Sequence, residues 1–166
     1  MKKLSLHVLY MALVATLFPA CQKFEEYPIE PHIEYQDFAV VKDSIGRDSL
    51  GFFTISYRDG DGDIGLTKND TLPPYQYNFF LNIYENINGE LVKLQLPDTN
   101  VNFNSRIPVL TPDGINKAIK GSIEMKLELF MMTPFLNSDT IAFEAWIVDR
   151  ALHKSNVVMS PQFILK

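Results

Sequence analysis

The chain has 166 residues, of which 46% are hydrophobic and 12% aromatic. This composition suffices for one folded domain with a sizeable core and excludes a wholly disordered protein. The formal charge of −5 at pH 7 argues against nucleic acid as a partner. Cys21 is the only cysteine, so the chain has no intramolecular disulfide.

The first 20 residues have the pattern of a secretory signal. Lys2 and Lys3 precede an apolar run over residues 4–18, and the small residue Ala20 lies directly before Cys21. The apolar run is shorter than the roughly 20 residues that a membrane-spanning helix needs. We therefore predict that residues 1–20 are a cleaved signal peptide, which leaves a mature part of formal charge −7.

The stretch Leu17-Phe18-Pro19-Ala20-Cys21 resembles the lipobox of bacterial lipoproteins, although Phe18 and Pro19 depart from the usual aliphatic and small residues. The resemblance implies that Cys21 is lipidated and anchors the mature protein to a membrane. Residues 22–26 are similar to the tag that sends some Bacteroidetes lipoproteins to the outer cell surface. Residues 21–32 then form a flexible tether on an outer-membrane protein that faces the surface or the periplasm. The alternative is a soluble secreted protein.

The remaining residues, 33–166, form one predicted domain of strands. Apolar and polar side chains alternate with period two, and Asn88-Gly89 is a strong signal for a tight hairpin turn. The seven predicted strands cover residues 33–42, 50–57, 75–85, 91–96, 121–131, 141–148 and 157–165, with a short edge strand within 102–110. Strands of this length and spacing predict an all-β protein, an antiparallel β-sandwich.

Two further stretches connect this domain with a known class. Val148-Asp149-Arg150 and the following Ser155-Asn156 resemble the end of fibronectin type III and other Ig-like domains. Together with the lipobox and the loop Asp-Gly-Asp-Gly-Asp-Ile-Gly, nearly the whole chain resembles small Bacteroidetes Ig-like lipoproteins of unassigned function. The resemblance implies an Ig-like sandwich and no particular biochemical activity.

The most distinctive motif is an aspartate loop that follows the second predicted strand. Asp59, Asp61 and Asp63 alternate with glycines, and Asp70 follows at the twelfth position of a calcium-type loop. Strand order in a sandwich brings the residue after the 141–148 strand, Asp149, toward the same end. The sequence therefore predicts a Ca²⁺ site made of these five residues.

This loop is not an EF-hand, because Ile64 occupies the place of the required glycine and helical flanks are missing. The alternative interpretation is a solvated acidic turn. Catalysis is not expected, since the chain has no known nucleophile elbow, zinc-binding helix or phosphate loop. We predict that His153 is a solvated loop histidine and that the protein is not an enzyme.

The expected function is thus a non-catalytic binding or structural module of the cell envelope, stabilised by Ca²⁺, with an unknown protein or glycan ligand. An alternative is a glycan-binding accessory lipoprotein of a polysaccharide uptake system, using an aromatic platform of Tyr75, Tyr77, Phe80 and Tyr84. Four Asp-Ser or Asp-Thr pairs before an apolar residue also resemble O-glycosylation signals of exported Bacteroidetes proteins, at Ser44, Ser49, Thr71 and Thr140. The same pairs are ordinary turn residues.

Overall fold

A computed structural model describes residues 26–96, 101–111 and 118–166, so the predicted signal peptide and Cys21 lie outside the described residues. Within them the chain forms two antiparallel sheets, as predicted for an all-β sandwich. The strands are β1 (His32–Lys42), β2 (Asp48–Asp59), β3 (Phe79–Ile87), β4 (Glu90–Lys93), β5 (Ile119–Glu128), β6 (Thr140–Ile147), β7 (Val158–Met159) and β8 (Phe163–Ile164). A single helical turn, α1 (Leu129–Met132), follows β5 and continues as a 3-10 turn, Thr133–Phe135.

The strands are divided between the two sheets in a simple order. One sheet has the order β1-β2-β5, and the other has the order β4-β3-β6-β7, with β8 also paired to β6. The tight turn predicted at Asn88-Gly89 joins β3 to β4, and both residues have positive φ as that turn type requires. None of the described helices is long and apolar enough to span a membrane.

Large aromatic side chains from both sheets meet in the core between them. Phe53 of β2 and Phe143 of β6 are fully buried, and their ring centroids are 5.7 Å apart. Phe38 of β1 packs on Phe143 at 4.9 Å, and Phe79 of β3 reaches Phe53 at 6.3 Å. The alternation in the sequence therefore selects the side chains that hold the two sheets together.

Several predicted strands are shorter than the alternation suggested. The strand predicted over 91–96 ends at Lys93, and the one predicted over 157–165 is divided into β7 and β8 on either side of Pro161. The strand predicted from residue 75 begins only at Phe79, because the buried Asn78 side chain bonds to both main-chain groups of Ile107. The strand predicted to reach residue 131 ends at Glu128, where the helical turn α1 buries Leu129 and Met132 together. Residues spaced by three share one side of a helix but lie on opposite faces of a strand. The edge strand predicted within 102–110 is reduced to two isolated bridges, at Ser105 and Pro108.

Arg106 organises the long loop between β2 and β3. Its guanidinium donates hydrogen bonds to the main-chain oxygens of Thr67, Asp70, Tyr75 and Gln76. A planar guanidinium offers several donors in fixed directions, so one side chain can hold the middle of this loop against its last residues. No local pattern in the sequence indicates this contact, because the partners lie 30 or more residues away.

Replacing Arg106 with Lys is expected to destabilise the protein by about 1 kcal/mol, since a single ammonium cannot bond four oxygens in these directions. Chemical denaturation measures the change. Arg47→Lys is a matched control, because the Arg47 side chain makes an exposed ion pair with Asp43. Equal stability of the two variants would contradict the role given to Arg106.

Candidate metal centre

Strand alternation places two aspartates at the same end of the sandwich. In β2, Phe53 and Ile55 point into the core, and Asp59 ends the strand on the same face. In β6, Phe143 and Ile147 point into the core, and Asp149 follows with the same period. These strands belong to opposite sheets, so their final inward side chains approach each other where the core ends.

The carboxylates of Asp59, Asp63 and Asp149 form a compact group. One oxygen of each lies within 4.8 Å of the others. Asp59 is 0% exposed and Asp149 is 1% exposed, whereas Asp63 is half-buried. Negative charges this close, and this far from water, are stable only when a cation or hydrogen-bond donors compensate them.

Hydrogen bonds satisfy only part of this group. Asp59 Oδ2 accepts from the main-chain N–H of Asp63 at 3.0 Å, and Asp63 Oδ2 accepts from that of Ala151 at 3.0 Å. Within the described structure, however, the buried Oδ1 atoms of Asp59, Asp61 and Asp63 have no hydrogen-bond partner. A buried carboxylate oxygen without a donor is costly, and hard cations bind such oxygens. This donor set therefore fits a hard divalent cation.

Glycines allow the loop to fold inward around the aspartates. Gly62 and Gly65 have φ angles of 73° and 113°, which other residues rarely adopt. At Gly65 the space is also closed, because a Cβ atom would lie 2.3 Å from the main-chain oxygen of Pro108. The main-chain N–H of Gly60 donates to the main-chain oxygen of Pro28 at 2.8 Å, so the segment before β1 lies directly on the loop.

The acid strength of the aspartates reflects their burial and mutual repulsion. Burial, followed by the charges of Asp61 and Asp63, raises the pKa of Asp59 to about 6. The pKa of Asp63 is also raised, first by burial and then by the charges of Asp149 and Asp61. Both shifts mean that without a cation the folded protein holds protons on this cluster more tightly than ordinary carboxylates do.

His153 positions Asp149, a role that the sequence analysis missed. The main-chain N–H of His153 donates to Asp149 Oδ1 at 2.7 Å, and the imidazole Nδ1 lies 2.9 Å from Oδ2. The hydrogen bond to Asp149, and then the charge of that carboxylate, raises the pKa of His153. The prediction of a solvated loop histidine is thus incomplete, because the ring is tied to a buried carboxylate four residues before it. The spacing of four residues between Asp149 and His153 is the sequence feature that could have indicated this contact.

Asp70 lies apart from the cluster, contrary to the calcium-loop spacing. Its Oδ2 accepts hydrogen bonds from the main-chain N–H of Thr67 at 2.7 Å and from the Thr67 hydroxyl at 2.8 Å. These two bonds lower the pKa of Asp70, in contrast with Asp59 and Asp63. In the structure Asp59, Asp61, Asp63 and Asp149 therefore lie at the same end of the sandwich, whereas Asp70 stabilises a local turn through Thr67.

The four aromatic residues suggested as a glycan platform are divided between two places. Tyr75 and Tyr77 precede β3, and the Tyr75 hydroxyl donates to the main-chain oxygen of Arg150. Phe80 stacks on Trp146 of β6 with centroids 5.3 Å apart, and Lys154 Nζ lies 4.6 Å from the centroid of the Trp146 ring. Tyr84, also on β3, donates its hydroxyl to Glu144 Oε1 at 3.4 Å. The four residues thus do not all lie on one strand, and the glycan-binding alternative stays a prediction.

The four predicted glycosylation positions differ in accessibility. Ser44 and Thr71 are exposed in turns, whereas Ser49 and Thr140 are half-buried on β2 and β6. The Thr140 hydroxyl also donates to Asp139 Oδ1 at 3.0 Å. Ser44 and Thr71 are therefore the more accessible of the four.

Comparison of the chain with protein-family models, with curated proteins and with solved structures gave no match in any of the three. Functional inference therefore depends on the geometry of the acidic cluster and on the sequence motifs.

Proposed function

We propose that this protein is a Ca²⁺-binding β-sandwich module that acts outside the cytoplasm as a non-catalytic binding or structural domain. The observation that carries the proposal is the set of buried, unpartnered Oδ1 atoms of Asp59, Asp61 and Asp63 beside buried Asp149. An ordinary surface turn would expose these oxygens to water. Burying these oxygens together is costly unless a cation or a proton neutralises them.

The chemistry of these side chains favours Ca²⁺ over other common metals. The donors are carboxylate oxygens from a flexible, glycine-rich loop and from a second loop after β6, and Ca²⁺ accepts many oxygens in variable geometry. Zn²⁺ prefers nitrogen and sulfur donors, and the imidazole nearest to the cluster is bonded to Asp149. A binding role suits the cluster better than catalysis, because one oxygen of each of the three carboxylates lies within 4.8 Å of the others, where a single cation can satisfy all of them.

A lipid at Cys21 would hold this module on the envelope, and the lipobox-like stretch supports that part of the proposal. Each buried CH₂ of an acyl chain contributes about 0.8 kcal/mol, so several chains anchor a protein firmly. We propose an outer-membrane position, facing the surface.

Replacing Cys21 with Ser is expected to move the protein from the membrane fraction to the soluble fraction of the cells that produce it. Fractionation and immunoblotting measure the change. Ser44→Ala is the control, since an exposed turn residue has no part in anchoring. Equal membrane retention of both variants would refute the lipid anchor.

The metal proposal is tested by thermal unfolding of the purified protein with Ca²⁺ and with chelator. A hundredfold excess of Ca²⁺ over its dissociation constant stabilises the folded state by about 2.7 kcal/mol. For a domain of this size that corresponds to a rise in melting temperature of about 10 °C. Mg²⁺ is the control and is expected to give a smaller rise, because it loses its water ligands reluctantly. Identical melting temperatures with Ca²⁺ and chelator would refute the proposal.

A further inference from the structure

Strand β5 (Ile119–Glu128) forms an edge of the sheet β1-β2-β5. It is ten residues long, and in the described part of the chain its only strand partner is β2. The pairing runs without interruption from Ile119, opposite Asp59, to Glu128, opposite Leu50. A long and regular edge presents main-chain donors and acceptors that another strand can bind.

The other edges carry features that block such pairing. The register between β1 and β2 shifts twice, and the Asn156 side chain bonds to both main-chain groups of Ile33 at the start of β1. Strand β4 has four residues, and β7 and β8 have two each. Shortness, bulges, covering groups and charged side chains are the usual protections of edge strands. Strand β5 has neither the shortness nor a bulge, and its charges have both signs, so they repel only a partner strand whose charges do not match.

The charges of the outward side chains of β5 determine which partner strand can pair with this edge, and in which register. They are exposed and alternate in charge along the strand, in the order Lys120, Ser122, Glu124, Lys126 and Glu128. An antiparallel second copy, related by a two-fold axis at Met125, sets Glu124 of each copy opposite Lys126 of the other. The axis at Ile123 instead opposes Lys120 to Lys126, and the axis at Glu124 opposes that residue to itself. The axis at Ser122 also opposes unlike charges, Lys120 and Glu124, but it leaves Phe130 and Met131 beyond the paired strands, whereas the axis at Met125 brings them toward the start of the partner copy's β5. The axis at Leu127 pairs only residues 126–128 of β5. Opposite charges directly across a strand pair are stabilising, and like charges are destabilising.

We propose that a second copy of this chain pairs with β5 through β5, with the two-fold axis at Met125. The two three-stranded sheets would then continue as one six-stranded sheet. Phe130 and Met131, which follow the same edge, are 56% and 57% exposed. Exposed large apolar side chains next to a pairing edge are typical of an association surface.

Charge reversal tests both the dimer and its register, by sedimentation of the full chain in detergent matched to the solvent density. The unmodified chain is expected to be a dimer that dissociates on dilution. Glu124→Lys or Lys126→Glu alone replaces two attractive contacts by two repulsive ones and is expected to weaken the dimer about tenfold or more. The double variant restores both contacts and is expected to regain the original dissociation constant.

Glu90→Lys is the matched control, because it makes the same charge change on the short edge strand β4. It is expected to leave the dissociation constant unchanged. Unaltered melting temperatures exclude misfolding as the cause of a weaker dimer. A chain that stays monomeric at every concentration overturns the proposal. A dissociation constant that the single charge reversals leave unchanged overturns it equally. So does a double variant whose dimer is as weak as those of the single variants.

Discussion

Replacing Asp149 with Asn is expected to remove most of the Ca²⁺-dependent rise in melting temperature. The substitution removes one negative charge from the three carboxylates that lie within 4.8 Å of one another. The amide keeps an oxygen for the main-chain N–H of His153, so the loop after β6 retains one of its two contacts. The expected loss is about 2.7 kcal/mol of ion-dependent stability at a hundredfold excess of Ca²⁺. Thermal unfolding with Ca²⁺ and with chelator measures it.

Asp70→Asn is the control that distinguishes the structure from the sequence pattern. The calcium-loop spacing makes Asp70 a ligand, whereas the structure assigns its carboxylate to Thr67. The Asp70 variant is therefore expected to keep the full Ca²⁺-dependent rise. If it loses the rise while the Asp149 variant retains it, the cluster described above is not the cation site.

Without Ca²⁺, stability is expected to decrease as the pH rises from about 4 to about 7. Burial and the neighbouring charges raise the pKa of Asp59 from 3.8 to about 6. Between these values the folded protein binds more protons than the unfolded chain, so raising the pH favours unfolding. Each pKa unit corresponds to about 1.4 kcal/mol, and solvent screening at the half-buried Asp61 and Asp63 weakens the repulsion, giving a loss on the order of 2 kcal/mol. The raised pKa of Asp63 acts in the same direction.

Melting temperatures in chelator across this pH range measure the decrease. Asp59→Asn removes the group whose pKa is raised to about 6 and is expected to reduce the slope of the profile while keeping an acceptor for the main-chain N–H of Asp63. Saturating Ca²⁺ is expected to flatten it as well, because a cation neutralises the charge that proton loss exposes. A profile in chelator that rises steadily with pH would contradict the repulsion described here.

Much of the fold could be predicted from local patterns. The alternation that buries Phe53 and Phe143 defines strands β2 and β6, and Asn88-Gly89 defines a hairpin. These predictions succeed because strand periodicity and turn chemistry depend on neighbouring residues alone. They fail where distant groups compete, as at Asn78, whose side chain bonds to Ile107 and delays the start of β3.

The aspartate motif and its glycines can likewise be recognised in the sequence, and they predict a cation site. Which carboxylates come together depends on the tertiary structure. Asp149 joins Asp59 because two inward-facing rows of side chains, 90 residues apart in the chain, end at the same end of the sandwich. Asp70 is nearer in sequence but lies outside the group, because Thr67 satisfies its carboxylate locally. The spacing of aspartates in the sequence determines which residues are available for a site, and only the packing of the two sheets determines which of their carboxylates lie together.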